Sequence, residues 1–427
     1  MRVFVLLVFC VAATAQQVVI RAARLYDGRA DAVQTPGLVV VENGRIVGVG
    51  AMAVLKPGAT VIELGDATLL PGFMDAHVHL TFERGLDSRQ GIIDSQARTA
   101  AETALLATKY LRVTLQAGFT TVRNLGAADF VDVAMRNAIA RGSIEGPRIL
   151  AASKSLGSMG GHCDPMNGVA PEFFGREPDC KDGVVSGAEN ARQAVRYNVK
   201  YGADLIKICA TGGVLSRNND VDSPQLTQAE VDAIVDEAHA KGKKVAAHAH
   251  GATGAKRAVR AGIDSIEHGS FLDDEALTMM KGRGTFYVPT LHALWSLQEA
   301  EKKGSVMDPR TKAKMNMAAR RVDETFRSAV AKGVRIAYGT DAGVGIHGTN
   351  AEEFVLMVKG GLKPIDALRA ATSVDAELFG IANEVGTLAI GMIADIVAVP
   401  GNPVEDITKT RDVFFVMQGG KVVKNTR

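Results

Sequence analysis

From Gly118 onward the chain alternates short β-branched runs with longer stretches of helical period, and few folds satisfy that alternation. Candidate strands fall at 71–80, 119–125, 147–153, 203–210, 244–250, 263–268, 285–291 and 334–341. Amphipathic segments at 187–201, 227–241, 253–261 and 310–332 lie between them. Strands and helices in this order predict an α/β fold, a (β/α)8 TIM-like barrel, because the strand count closes on itself. The flanks read differently. Residues 17–68 and 384–424 are short apolar runs broken by Gly and Asn-Gly turns, without helical period. They are expected to form one small β-sandwich from both termini, 16–70 plus 384–427, beside a catalytic barrel over 71–383. With 427 residues, 47% of them hydrophobic, the chain can bury both cores.

The first candidate strand contains LLPGFMDAHVHL, with His77 and His79 one residue apart. Side chains alternate along a strand, so both rings face the same way. Other strand ends, where a barrel of this kind collects its chemistry, repeat the theme. The fourth carries Lys207 in DLIKICA, the fifth His248 and His250, the sixth His268 and the eighth Asp341. A lone core histidine is more often structural than a ligand, but here the accident would recur on several strand ends. A cation is the partner that satisfies the group. Lys207, in an apolar run, is expected to shift toward the neutral amine. Such an amine can add carbon dioxide to become a carbamate, an anionic group with two oxygens able to bridge two cations.

A net charge of +2 and 5% aromatic residues give no support for nucleic acid or an anionic membrane as a partner. The N-terminus, MRVFVLLVFCVAATAQQ, has Arg2, an apolar stretch and then Ala13-Thr14-Ala15. That is the pattern of a signal peptide over 1–15, too short for a span of about 20 residues, and it predicts export to a periplasm or the medium. Cys163 and Cys180 bracket a loop rich in Pro, Gly and Asp. In an oxidising compartment they are expected to pair, leaving Cys209 as a buried thiol.

His77-x-His79 after Leu-Pro-Gly-Phe-x-Asp-Ala, with Lys207, His248, His268 and the Gly339-Thr-Asp341 turn, resembles the amidohydrolase superfamily, binuclear type with a carboxylated lysine. The stretches SMGGHCDP, YGADLIKICATGGVLS, AHAHG and SIEHGSFLDDE are similar to its dipeptidases and to its ochratoxin A-hydrolysing members. The resemblance implies two divalent ions, zinc by preference. His77, His79 and Asp341 would hold one, His248 and His268 the other, and carbamylated Lys207 would bridge them. It implies attack of a metal-bridging hydroxide on an amide, with Asp341 moving the proton and His250 stabilising the oxyanion. The substrate implied is a dipeptide or N-acyl amino acid with a free carboxylate. His162 and Arg217 are the candidate clamps for it, and His250, His292 and His347 the candidate pocket residues. Self-association into a homo-oligomer is implied as well. The alternatives are a cyclic-amide hydrolase resembling imidazolonepropionase, or a lactonase or phosphotriesterase on the same barrel.

Overall fold

Apolar runs that alternate with amphipathic helices become parallel strands buried on both faces. In the computed structural model, Phe73–Val78, Phe119–Asn124 and Arg148–Ala151 form one parallel sheet. Ile206–Cys209, Val245–Gly251, Ser265–Phe271 and Phe286–Val288 form a second. Parallel bridges join Leu156 to Ile208, Tyr287 to Ile336 and Val78 to Ala342, so the pairing returns to the first strand. The structure describes residues 16–427 apart from 52, 85–90, 92, 95, 96 and 174. The signal peptide expected over 1–15 lies outside the described residues.

Helices Ala188–Lys200, Gln228–Ala240 and Ala252–Ala261 cover the outside where the periodicity places them. The second of these opens on a capping box, Thr227 with Glu230, the sequence signature of a helix start. Two segments depart from the sequence reading. Residues 310–332 form two helices, Pro309–Ala319 and Val322–Lys332, so that Met315 and Ala318 of one and Phe326 and Ala329 of the other are all buried. The eighth strand is an extended segment with isolated bridges only. Two of its amides bond to buried carboxylates instead of a ladder, Tyr338 N to Asp375 and Thr340 N to Asp75.

The β-rich unit has two sheets. Arg45–Val49, Gly37–Glu42, Val18–Ala22 and Thr60–Glu63 lie in that order in one. The other combines both ends of the chain, Ile396–Pro400 pairing antiparallel with Ala67–Pro71. Ile20, Val39, Ile46, Leu69, Ile396 and Phe415 share one core between them. Asn43 and Gly44 both have positive φ (51° and 76°), as the tight hairpin between its strands requires. Among the described residues, no helix is long and apolar enough to cross a membrane.

Candidate metal centre

Period-two alternation brings His77 and His79 to the lumen at the end of the first strand, and the ring closure brings Asp341 beside them. Asp341 Oδ1 lies 3.1 Å from His79 Nε2 and 3.4 Å from His77 Nε2. Lys207 Nζ, from the fourth strand, is 3.4 Å from His77 Nε2. The ring of His268 lies 4.9 Å from that of His77 and 4.5 Å from that of His248. His77, His268 and Asp341 offer ligand atoms within 4.8 Å of one another, and so do His248, His250 and His268. The six residues assigned to metal from the sequence therefore converge, with His250 added to the group.

Each ring is held through one nitrogen. His77 Nδ1–H donates to Glu267 (3.0 Å), and His248 Nε2–H donates to the Gly212 carbonyl (2.9 Å). His250 Nδ1 bonds Ser270 Oγ at 2.9 Å, and His268 Nδ1 bonds Thr290 Oγ1 at 2.8 Å. The opposite nitrogen of each ring is left for a ligand, the arrangement in which a carboxylate or carbonyl fixes a metal-binding imidazole. Backbone strain sits at the same places. His268, Thr290 and Asp341 have φ of 71°, 48° and 59°, a region non-glycine residues seldom adopt.

The electrostatics suit cations. Burial holds the imidazoles of His77, His248 and His268 well below their ordinary range, and that of His250 down to about 3, so all are neutral near pH 7. Burial alone would raise Asp341, but His77, His79 and Lys207 outweigh it and keep the carboxylate ionised. Burial brings Lys207 down to about 8, which makes the free amine accessible near neutrality. Neutral imidazoles, an ionised carboxylate and a buried Asp341 Oδ1 without a well-aligned hydrogen-bond donor fit divalent cations.

Sequence reasoning missed the residues behind the ligands. Glu267 accepts from His77, from Arg123 Nη2 (2.7 Å) and from Ser265 Oγ (2.5 Å), all buried. Asp75 accepts from His77 N at 3.0 Å and Thr340 Oγ1 at 2.6 Å, tying the first strand to the eighth segment. The signal was present: ionisable residues stand in the apolar runs FMDAHV and SIEHGSF.

The centre opens on a cavity of about 230 Å³. His162 lines it, its ring 4.3 Å from that of His248, and burial lowers that imidazole to about 4. Val214, Leu215, Leu294 and Leu297 give it an apolar wall. Three expected pocket residues lie elsewhere. The turn after the fourth strand points Val214 and Leu215 inward and leaves Arg217 exposed, its stem beside Gly168. His292 is buried outside the cavity wall, hydrogen-bonded to Thr349 Oγ1 (2.9 Å) and the Thr340 carbonyl (3.3 Å). His347 bonds the Phe82 carbonyl at 2.9 Å and stacks on Tyr110. The disulfide differs too. Cys163 is bonded to Cys209, and Cys180 is free. The fourth strand turns Cys209 to the lumen and the loop after the third strand crosses the mouth, whereas Cys180 faces Gln193 on the Ala188–Lys200 helix. Spacing along the chain does not show that adjacency.

The sequence profile of the amidohydrolase family matches residues 68–424, which carry every one of these candidate ligands. The chain belongs to that family. It is a hydrolase, and the family's chemistry is metal-dependent amide cleavage. The solved structure of a Xaa-Pro dipeptidase with methionine bound in the active site is 41% identical, with a TM-score of 0.91, covering 96% of this chain and 100% of that one. A prolidase complexed with N-methylphosphonate-L-proline is 32% identical, TM-score 0.87, covering 96% and 100%. Ochratoxinase of Aspergillus niger is 33% identical over 376 residues, 83% of this chain and 75% of that enzyme. Amidohydrolases this similar share a TIM barrel joined to a β-rich domain, as the sheets described above are arranged.

Proposed function

We propose that this amidohydrolase releases the C-terminal residue from dipeptides or N-acyl amino acids at a centre of two divalent cations. The observation that carries the reading is the set of buried imidazoles, each fixed through one nitrogen and presenting the other beside Asp341 and Lys207. His77, His79 and Asp341 would hold one ion, and His248 and His268 the other, with zinc suited to imidazole and carboxylate donors. Lys207 would bridge them as a carbamate: its amine nitrogen adds to carbon dioxide and gives up one proton. Bound cations would polarise the scissile carbonyl and lower the pKa of water, so that attack proceeds near neutral pH.

The chain's own residues do the rest. Asp341 accepts the proton of the attacking water and delivers one to the departing amine. His250, neutral and accepting at Nδ1 from Ser270 Oγ, would donate its Nε2–H to the carbonyl oxygen as charge develops there. His162 donates a hydrogen bond to the free carboxylate, the place Arg217 was expected to share. The wall of Val214, Leu215, Leu294 and Leu297 favours an apolar side chain on the substrate. The dipeptidase, prolidase and ochratoxinase relatives support amide hydrolysis next to a free carboxylate.

The test is a release assay pairing Xaa-Pro, Xaa-Leu and Xaa-Phe dipeptides and ochratoxin A with carboxamide forms of the dipeptides. Cleavage of the acids and not of the amides is the expected result. Equal cleavage of both, or cleavage of neither, would overturn the carboxylate-dependent reading. We also infer that the chain is exported and self-associates. The Cys163–Cys209 bond supports an oxidising compartment, and fractionation with sedimentation of the mature protein checks both.

A further inference from the structure

We propose that the Cys163–Cys209 disulfide positions His162, tying the loop that carries this imidazole to the rim of the metal cavity. The inference rests on the reading that His162 meets the substrate's carboxylate. Cys209 ends the fourth strand two residues after Lys207, and so shares its lumen face. Cys163 directly follows His162, and both cysteines line the cavity. The bond therefore joins a strand that supplies the centre to a loop that covers it, across a separation of 46 residues.

The surroundings are shaped to seat the joined loop. A Cβ on Gly157 would come within 2.8 Å of the Cys163 Cβ, and one on Gly213 within 2.3 Å of the His162 ring. Both positions leave room only because they are glycine. His162 N donates to Gln225 Oε1 at 2.7 Å, while Lys314 Nζ donates to the carbonyls of Gly213 (2.9 Å) and Asn219 (3.0 Å) and holds the opposing loop in place. The approach to His162 is bonded mainly within its own loop, Gly160 N donating to Asp164 Oδ2 at 2.7 Å and Asn167 Nδ2 to the carbonyls of Gly160 (3.1 Å) and Gly161 (2.8 Å). Gly160 is left-handed (φ 68°), another glycine follows, and Met159 is exposed. Without the bond, those contacts within the loop and the Gln225 hydrogen bond would be left to keep the imidazole in its place over His248. With it, the ordering cost is met before substrate arrives.

The experiment reduces the folded, metal-loaded enzyme with a trialkylphosphine. The S–S bond breaks, phosphorus takes the oxygen of a water molecule to become the phosphine oxide, and that water's two hydrogens end on the sulfurs. Peptide mapping without reduction is expected to yield the Cys163–Cys209 linked pair. Reduction is expected to speed amide hydrogen exchange over 158–165, leave the metal content unchanged, and lower kcat/KM about tenfold, mainly through KM. Cys163→Ser should reproduce these changes. In His162→Ala the further loss on reduction should vanish, because the bond acts through that ring. A map without the linked pair, unchanged exchange over 158–165, or an equal activity loss in His162→Ala would overturn the proposal. The map and the exchange decide it even if no amide substrate is found, whereas cleavage unaffected by reduction would sink the tether and leave the hydrolase reading standing.

Discussion

The lumen and the start of the Leu291–Lys302 helix after the seventh strand hold equally buried histidines that are built for opposite purposes. His77, His248, His250 and His268 are each secured at one nitrogen, with the other presented to the cavity. His292 spends both nitrogens on Thr349 and Thr340, and its backbone amide donates to Glu353 at 2.6 Å. Burial is therefore not what marks a ligand. A spare nitrogen facing a shared space is the mark, and the two groups should respond differently to substitution.

The largest effect is expected inside the lumen. Asp341→Asn removes the group proposed to carry the proton and should lower kcat by about 10²–10⁴-fold, measured on metal-loaded protein. Glu267→Gln leaves every ligand in place but weakens the anchor of His77, so metal affinity should fall by about 10–100-fold in a chelator competition. A metal affinity unchanged in Glu267→Gln would mean that the carboxylate does not orient His77.

His292→Ala sharpens the contrast from the other side. It should cost about 2 kcal/mol or more of stability by denaturant melt, because it opens a cavity at a fully buried position. Metal content and kcat/KM should hardly move. A loss of metal there would erase the distinction between the two regions.

The smallest effect is a pH slope. Burial raises Glu353 to about 8, while its ordinary value is 4.5. Its folded form thus binds more protons than the unfolded chain between those values, so its contribution is fully present below about 4.5. It is lost as pH rises through about 8, with a slope of about 1.4 kcal/mol per pH unit at most. Glu353→Gln keeps an acceptor for Leu291 N and His292 N and removes the charge. Its Tm advantage over the parent should therefore be larger at pH 9 than at pH 6, and a constant difference would show that Glu353 does not titrate in this range.

The convergence of the candidate ligands was legible because strand alternation puts His77 with His79 and His248 with His250 without any knowledge of tertiary structure. Lys207 was legible because a charge in IKIC has no cheap structural explanation. Glu267 carried the same signal, a charge in an apolar run, but strict alternation sends neighbours to opposite faces and so hid its place beside His77. The left-handed backbone at His268 breaks the alternation and lets both residues serve the lumen. The disulfide and the placement of Arg217, His292 and His347 depend on how loops fold back over the mouth. Those contacts join residues far apart in the chain, and no local period encodes them. The sheet joining both ends of the chain was readable in composition, whereas the irregular eighth segment reflects Asp75 and Asp375 taking its amides.

Elemental analysis of the purified protein, beside Lys207→Met, tests the central claim most directly. Two divalent ions per chain in the parent, with at least one lost in Lys207→Met, is the predicted result. A single ion in the parent, or two retained without the lysine, would contradict a bridged pair of cations.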